Sequence, residues 1–165
     1  MELNALRQVD GEILDYTVKA RTHAAGQRLR ELAPPDGVVV SLIVRGREVV
    51  MSRGTTVLMP GDHVFVAMRI NLEPLFNQLF EPDLEPPELL VDLSLSFHAA
   101  TTVEQLLGFC GLPLPKKLVA PAAAESLGSL LAQSTARGGV SIGALRIQAG
   151  ADSEHITVSC MSQMA

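Results

Sequence analysis

The sequence has no tryptophan, and aromatic residues make up only 4% of its 165 residues. It has no run of lysine and arginine, and its formal net charge is −5. A nucleic-acid interface needs clustered basic side chains for the phosphates and aromatic rings for unpaired bases, so we predict no nucleic-acid partner. No apolar stretch approaches the roughly 20 residues of a membrane-spanning helix, and no signal peptide opens the chain, so we expect the chain itself to be soluble.

The sequence also lacks the residue patterns that mark catalytic, metal and cofactor sites. Its two cysteines, Cys110 and Cys160, form no CxxC, and its four histidines are scattered. The cysteines are predicted to be small buried apolar side chains in a reducing compartment, with a disulfide as the alternative. Asp62 and His63 follow Pro-Gly and are interpreted as turn residues rather than an acid–base pair. Without GxSxG or GxGxxG, we predict no enzyme, no catalytic residue, no metal site and no cofactor.

Residues 10–69 are predicted to form a first unit that begins with an alternating strand near Leu14. Thr22 is expected to cap a helix over residues 26–32, which would place Gly26 in its first turns. The β-branched run at 38–44 predicts a central strand covered on both faces, and Gly46 marks its hairpin with residues 48–51. Gly61 is expected to need a positive φ in the turn before the last strand, at residues 63–67.

Residues 70–87 change in character. Residues 71–80 predict a helix whose apolar stripe packs against its own unit, a partner site being the alternative. The stripe consists of Leu72, Leu75, Phe76 and Leu79. Residues 81–87 combine acidic residues with prolines, which stiffen the chain and bury little surface, so this stretch is predicted to be a linker.

Residues 88–165 are predicted to form a second unit. An alternating strand ends near His98, and two overlapping capping boxes, Thr101 to Glu104 and Thr102 to Gln105, open the helix that follows. Ser126 opens another helix, and a terminal hairpin turns at residues 150–153. The predicted fold class is therefore α+β, with a βαββ regulator domain and then a small antiparallel sheet with two helices.

The order of elements in the first unit resembles the C-terminal ligand-binding module of potassium-transport regulators, called TrkA-C or the RCK C-terminal domain. The second unit resembles the CorC/HlyC-type transporter-associated domain, on residues 102–115 (TVEQLLGFCGLPLP), 126–131 (SLGSLL), 138–147 (GGVSIGALRI) and 155–161 (HITVSCM). The two modules in this order are similar to the cytoplasmic region of bacterial NhaP-type potassium/proton antiporters. This resemblance implies a homodimer and a location at the cytoplasmic face of the cell membrane.

The same resemblance implies a function and a partner. The chain would be the cytosolic regulatory region of a monovalent-cation/proton antiporter, which senses a small ligand, an ion or pH and gates the membrane domain. The alternatives are a free-standing protein-interaction adaptor without a ligand and an accessory domain of an enzyme. Some members of the resembled family bind a cyclic dinucleotide between two modules. On that basis Arg45, Arg47, Arg53 and His23 are candidate ligand-binding residues, and a solvated surface is the alternative.

Overall fold

The computed structural model of the chain describes residues 11–81, 93–115, 123–134 and 139–160. It has two four-stranded sheets, antiparallel throughout, together with short helices. The α+β class with two small sheets is therefore confirmed. In the described parts of the chain, no helix is long and apolar enough to cross a membrane.

The first sheet, sheet A, has the strand order β1-β4-β2-β3, so that β4 lies between the first two strands of the sequence. Two helices and one 3-10 turn accompany it. The elements are β1 (Glu12–Thr17), α1 (Leu29–Leu32), β2 (Val38–Arg45), β3 (Glu48–Val50), β4 (Asp62–Met68), the 3-10 turn Ile70–Leu72 and α2 (Glu73–Phe80).

The second sheet, sheet B, has the order β5-β8-β7-β6 and is covered by two helices. Of the two overlapping capping boxes predicted, the structure has the Thr102–Gln105 box, because Thr102 Oγ1 accepts from the N–H of Gln105 while the Gln105 side chain accepts from the N–H of Thr102. The helix is capped at Thr102 and not at Thr101. Ser126 caps the other helix. The elements are β5 (Ser94–His98), α3 (Val103–Phe109), α4 (Leu127–Gln133), β6 (Val140–Ile142), β7 (Leu145–Ala149) and β8 (His155–Cys160). Strand β6 was not anticipated.

The prediction that Thr22 caps the first helix is wrong. Its hydroxyl donates to the carbonyl of Lys19, and α1 begins at Leu29, where the Glu31 side chain accepts from the N–H of Arg28. Gly26 therefore precedes the helix, with φ +81°, whereas Gly61 has the positive φ expected of its turn, +93°. The sequence suggested the wrong N-cap because a polar side chain such as Thr22 can form the same local hydrogen bonds in a turn as at a helix start. Which position caps the helix is decided by packing.

The expectation that β2 is covered on both faces is also wrong. Val38 and Ile43 are buried, but Val39 is 60% exposed. The strand is internal to sheet A, and a β-bulge lies between Val40 and Leu42. A continuous apolar run indicates burial of both faces only when a second layer covers the outer one. Here helices cover a single face of the sheet.

Helices α2 and α3 lie where the two sheets meet, and the apolar stripe of α2 faces inward. A chain of aromatic rings crosses this region from Tyr16 of β1 to Phe97 of β5. The buried residues of both sheets form one continuous hydrophobic cluster. The segment predicted to be a linker, residues 81–87, lies outside the described residues except for Glu81, which pairs with Lys19 at 2.6 Å.

Candidate functional site

Arg45 lies at the end of β2 and is bound to a buried carboxylate. Its Nε and Nη2 donate to Oδ1 and Oδ2 of Asp62, both at 2.8 Å, and Nη2 also donates to the carbonyl of Val57. The Asp62 side chain has no exposed surface and accepts a further hydrogen bond from the N–H of Met59. The Arg45 guanidinium holds the pKa of the Asp62 carboxyl below its usual range, although burial opposes that shift. The geometry therefore gives Arg45 a structural role in the turn before β4.

Arg47 and Arg53 are the exposed cations of the same hairpin and the loop that follows it. Arg47 is in the two-residue turn between Arg45 and Glu48, which pair across the hairpin. The backbone N–H of Arg53 donates to Thr56 Oγ1 and fixes the loop after β3. Neither guanidinium forms an ion pair within the described residues. These two side chains can therefore receive an anion without breaking an ion pair among the described residues.

His23 lies away from the arginine hairpin, against helix α3. A Cβ on Gly108 would lie 3.0 Å from the Cε1 atom of the imidazole, so the glycine makes room for the ring. Burial lowers the pKa of His23. The ring lines a cavity of about 310 Å³ between α1 and α3, with Gln27, Glu31, Thr102, Glu104 and Gln105. The structure thus groups the three arginines of the prediction along one hairpin and its loop, and places His23 in a separate cleft.

That cleft was not found from the sequence. Gln105 joins its two sides, since its Nε2 donates to the carbonyl of Arg30 at 3.4 Å while its Oε1 caps α3. The capping box identifies Gln105 as a residue of the first turn of α3, but nothing local shows that α1 packs beside it. The cleft has carboxylates, amides and one imidazole, which suits a polar ligand better than an apolar one.

A second, wider groove of about 620 Å³ runs between β1 and α2. Tyr16 lies in it, and its hydroxyl donates to Oδ1 of Asn77 at 2.9 Å. Burial, with a smaller contribution from the Glu73 carboxylate, raises the pKa of Tyr16 to about 12. The phenol is therefore neutral at physiological pH and acts here as a hydrogen-bond donor that ties α2 to the sheet.

The outer side of sheet A, opposite its helices, carries apolar side chains from all four strands, beside the polar side chains of Asp15, Thr17 and His63 on β1 and β4. Ile13 and Val39 both pair with Ala67 of β4, so the three side chains form one row, and Phe65 pairs with Leu42 in the next row. We call this surface the apolar face; it consists of Ile13, Val39, Leu42, Val49 and Phe65. Ile13, Val39 and Val49 are 61%, 60% and 65% exposed. The outer side of sheet B instead carries the polar side chains of Ser94, Ser96, His98, Arg146 and Gln148.

Contiguous exposed apolar surface of this kind is characteristic of a contact with another protein. Sheet B shows what an antiparallel sheet looks like when water covers its outer side, because its residues alternate between apolar inward and polar outward positions. Sheet A has the same inward pattern, but its outward positions are mainly apolar, with Asp15, Thr17 and His63 of β1 and β4 as polar exceptions. The apolar face is therefore a candidate partner surface.

Comparison with known proteins supports the resemblance of the first sheet. Residues 13–79 match the family described as TrkA-C domain. This stretch runs from β1 through nearly all of α2, and it contains the arginine hairpin and the apolar face. The matched residues therefore include every candidate ligand-binding residue of the sequence analysis.

Two curated relatives match over a stretch of the same length. They are the Trk system potassium uptake proteins TrkA homolog 1 and homolog 2 of Methanosarcina mazei, each 28% identical over 67 residues. The match covers 39% of this chain but only 15% of either relative. The chain is thus similar to a small part of these proteins.

Proposed function

We propose that this chain, which carries a TrkA-C domain match over residues 13–79, is the cytosolic regulatory region of a monovalent-cation/proton antiporter that transports potassium. It performs no catalysis. It senses a small ligand, an ion or pH and passes the change to a membrane domain at the cytoplasmic face of the cell membrane. A ligand acts in this way by binding one of two conformations more tightly than the other.

The observation that carries the proposal is the TrkA-C match, because both curated relatives are described as proteins of potassium uptake. The structure adds two features that suit a regulatory module. Arg47 and Arg53 offer cations without ion-pair partners, within the described residues, on the matched stretch. The apolar face offers a surface for a partner on the same sheet. A nucleotide or cyclic dinucleotide is the ligand class that we propose for the arginines.

A thermal-shift screen of the full chain against nucleotides, cyclic dinucleotides, potassium and sodium tests the sensing role. A ligand that binds only the folded chain at 100 times its Kd stabilises it by about 2.7 kcal/mol, so its Tm rises. We expect at least one anionic compound to raise the Tm. Arg47→Ala and Arg53→Ala should then weaken binding by roughly tenfold to a hundredfold each, as measured by isothermal titration, because each loses a charge-assisted hydrogen bond.

Two choices make this experiment specific. Arg146→Ala on the outer side of sheet B removes the same charge elsewhere and should leave the affinity unchanged. Arg45→Ala is not used as a binding probe, because the loss of its bonds to Asp62 would itself lower the Tm. If Arg47→Ala and Arg53→Ala both bind like the parent chain, the hairpin is not the site.

The second candidate function is a protein-interaction adaptor without a small ligand. The extent of the apolar face favours it, since that surface needs a partner whether or not a ligand binds elsewhere. The screen separates the two functions: a Tm that no compound raises favours the adaptor.

We further propose that the chain is a homodimer that pairs through the apolar face. Burying a valine or leucine side chain contributes about 1.5–3 kcal/mol, so several such residues across two sheets can support an association. Val39→Glu would place an unpaired charge in that contact. We expect the parent chain to sediment as a dimer and Val39→Glu to sediment as a monomer with an unchanged circular dichroism spectrum.

Ser94→Glu is the matched control, because it adds the same charge to an exposed outward position of sheet B. It should leave the dimer intact. A parent chain that is monomeric at its highest attainable concentration, or a Val39→Glu variant that remains dimeric, would rule out this pairing. The full chain is used throughout, because the two sheets share one core and neither has been shown to fold alone.

A further inference from the structure

A polar contact joins the two sheets on the side of the loop between α1 and β2. The N–H of Asp36 donates to the carbonyl of Ser96 at 2.8 Å, and the Ser96 hydroxyl donates to Oδ2 of Asp36 at 2.6 Å. Asp36 lies just before β2 of sheet A, and Ser96 is in β5 of sheet B. We call this contact the seam. It depends on a carboxylate that is half-exposed and already engaged by one hydroxyl.

His155 stands between that carboxylate and a second one. Its Nδ1 lies 2.7 Å from Oδ1 of Asp152 in the turn before β8, and its Nε2 lies 3.6 Å from Oδ2 of Asp36. Only a protonated imidazole has an N–H on both nitrogens, so only the cation can point a donor at each carboxylate. In the neutral ring, one nitrogen donates to one carboxylate, and the lone pair of the unprotonated nitrogen faces the other carboxylate.

The remaining charged and titratable groups around the ring are one carboxylate, one imidazole and one guanidinium. Glu154 is in the same turn, where its N–H donates to Asp152. His98 pairs with His155 across β5 and β8, with ring centroids 6.1 Å apart, and its Nδ1 accepts from the N–H of Ala100. Arg69 is the basic group on the Asp36 side, with its Nε 3.5 Å from where a Cβ on Gly37 would lie.

The net effect of these groups favours the charged ring. The hydrogen bond to Asp152 raises the pKa of His155, Asp36 and Glu154 add smaller favourable charges, and partial burial opposes them. In the described residues, no group of three or more His, Cys, Asp and Glu side chains has the geometry to hold a metal ion. A proton is the species that this arrangement can bind and release.

We propose that the seam is a proton-controlled latch, in which protonated His155 bridges Asp152 and Asp36 and holds sheet B against sheet A. Loss of the proton removes the attraction to Asp36 and lets the two sheets separate locally at this edge. The latch is a specific form of the sensing role proposed above. Only its effect on transport depends on that proposed function.

The direction of the pH effect follows from the sign of the shift. Asp36 is one of the charges that raise the pKa of His155, so the ring binds its proton more tightly when the seam is closed than when it is open. Its contribution to closure is therefore fully present below the pKa of the open seam, where the bond to Asp152 remains, and is lost as the pH rises through the higher pKa of the closed seam. The latch is closed in acid and opens toward alkaline pH.

Amide hydrogen exchange of the full chain between about pH 5.5 and 8.5 measures this opening. The reporter is the N–H of Asp36, with the exchange rate corrected for the intrinsic effect of pH. One linked proton allows its protection to fall by up to tenfold per pH unit within the window. We expect that fall in the parent chain, with no matching fall for the core amide of Val66, which reports global unfolding.

Single substitutions separate the effect of Asp36 on the His155 ring from the effect of Asp152. Asp36→Asn and His155→Gln should each flatten the pH dependence of the protection of the Asp36 N–H. Asp152→Asn should keep the fall in protection but move its midpoint to lower pH. A nuclear magnetic resonance titration of the imidazole should show a lower His155 pKa in both asparagine variants. The matched control is the exposed Asp15–His63 pair, 3.3 Å apart within sheet A, where Asp15→Asn and His63→Gln should leave the slope unchanged.

Three results would overturn the latch. They are a flat parent profile, a slope that survives Asp36→Asn, and a slope that the Val66 amide shares. None of these readouts involves a ligand or a membrane domain. A failed ligand screen therefore leaves the latch standing, and a flat exchange profile leaves the proposed ligand-binding role standing.

Discussion

Replacing Phe109 with alanine is expected to lower the free energy of unfolding by about 3–5 kcal/mol, the usual cost of removing a buried aromatic side chain. Phe109 is at the end of α3 and is fully buried. Its ring contacts Phe97 of sheet B, with centroids 5.8 Å apart, and Phe76 of α2 at 6.4 Å. Phe76 in turn packs edge-on against Tyr16 of sheet A at 5.2 Å. The cavity would open in the middle of the contact between the sheets.

This position gives the experiment a second readout. The sequence has one tyrosine and no tryptophan, so intrinsic fluorescence reports on Tyr16 in sheet A alone. Circular dichroism reports on the whole chain. If the aromatic rings couple the sheets, urea unfolding of Phe109→Ala followed by fluorescence and by circular dichroism should shift to the same lower midpoint.

Leu114→Ala serves as the control, because that side chain is 45% exposed and its truncation should change stability by less than about 0.5 kcal/mol. A Phe109→Ala variant whose tyrosine signal keeps the parent midpoint while its circular dichroism signal does not would show that sheet A folds independently of sheet B. That result would contradict the shared core described above.

The second large effect is expected for Asp62→Ala, which should lower the free energy of unfolding by about 2–3 kcal/mol. The variant loses the two hydrogen bonds from Arg45 and the one from the N–H of Met59. A fully buried ion pair that loses one partner costs about 3–5 kcal/mol. The lower figure applies here because the Arg45 side chain is 39% exposed, so water can solvate the guanidinium left behind.

The pH dependence of stability checks the electrostatic origin of this effect. The pKa of Asp62 is lowered in the folded chain, chiefly by the Arg45 hydrogen bonds. Its stabilisation is therefore present above the ordinary aspartate pKa of about 3.9 and is lost as the pH falls through the folded value. Chemical denaturation at a series of acidic pH values should show a smaller acid loss in Asp62→Ala than in the parent chain.

A double-mutant cycle with Arg45→Met isolates the pair. Both single variants should have a lower free energy of unfolding. The loss in the double variant should be smaller than the sum of the two single losses. Asp15→Ala is the comparison, since it removes an exposed carboxylate from the same sheet and should have little effect. Additive single effects in the cycle would mean that Asp62 acts through its bond to Met59 and not through Arg45.

The predictions that succeeded depend on residues close together in the sequence. Gly46 and Arg47 form the predicted hairpin turn, the Thr102–Gln105 box starts α3, and the apolar stripe of α2 is buried. Each of these is decided within a few residues, by allowed φ, by the unsatisfied N–H groups of a first helical turn, or by helical periodicity. From such signals the sequence alone determined an α+β chain with two antiparallel sheets.

The tertiary structure decided which of those elements meet. Thr22 could have capped a helix, but packing of Leu29 and Leu32 places the N-cap of α1 at Arg28, six residues later. The apolar run of β2 could have been covered on both faces, but helices cover only one, so the apolar face results. The sequence offered Arg45 as a candidate ligand-binding residue, and the pairing of β2 with β4 brings Asp62 opposite it. The seam is the clearest case, because Asp36 and His155 are 119 residues apart and no local pattern links them. Capping, turn and periodicity signals act over a few residues, whereas these partners are chosen by the burial of apolar surface across the whole chain.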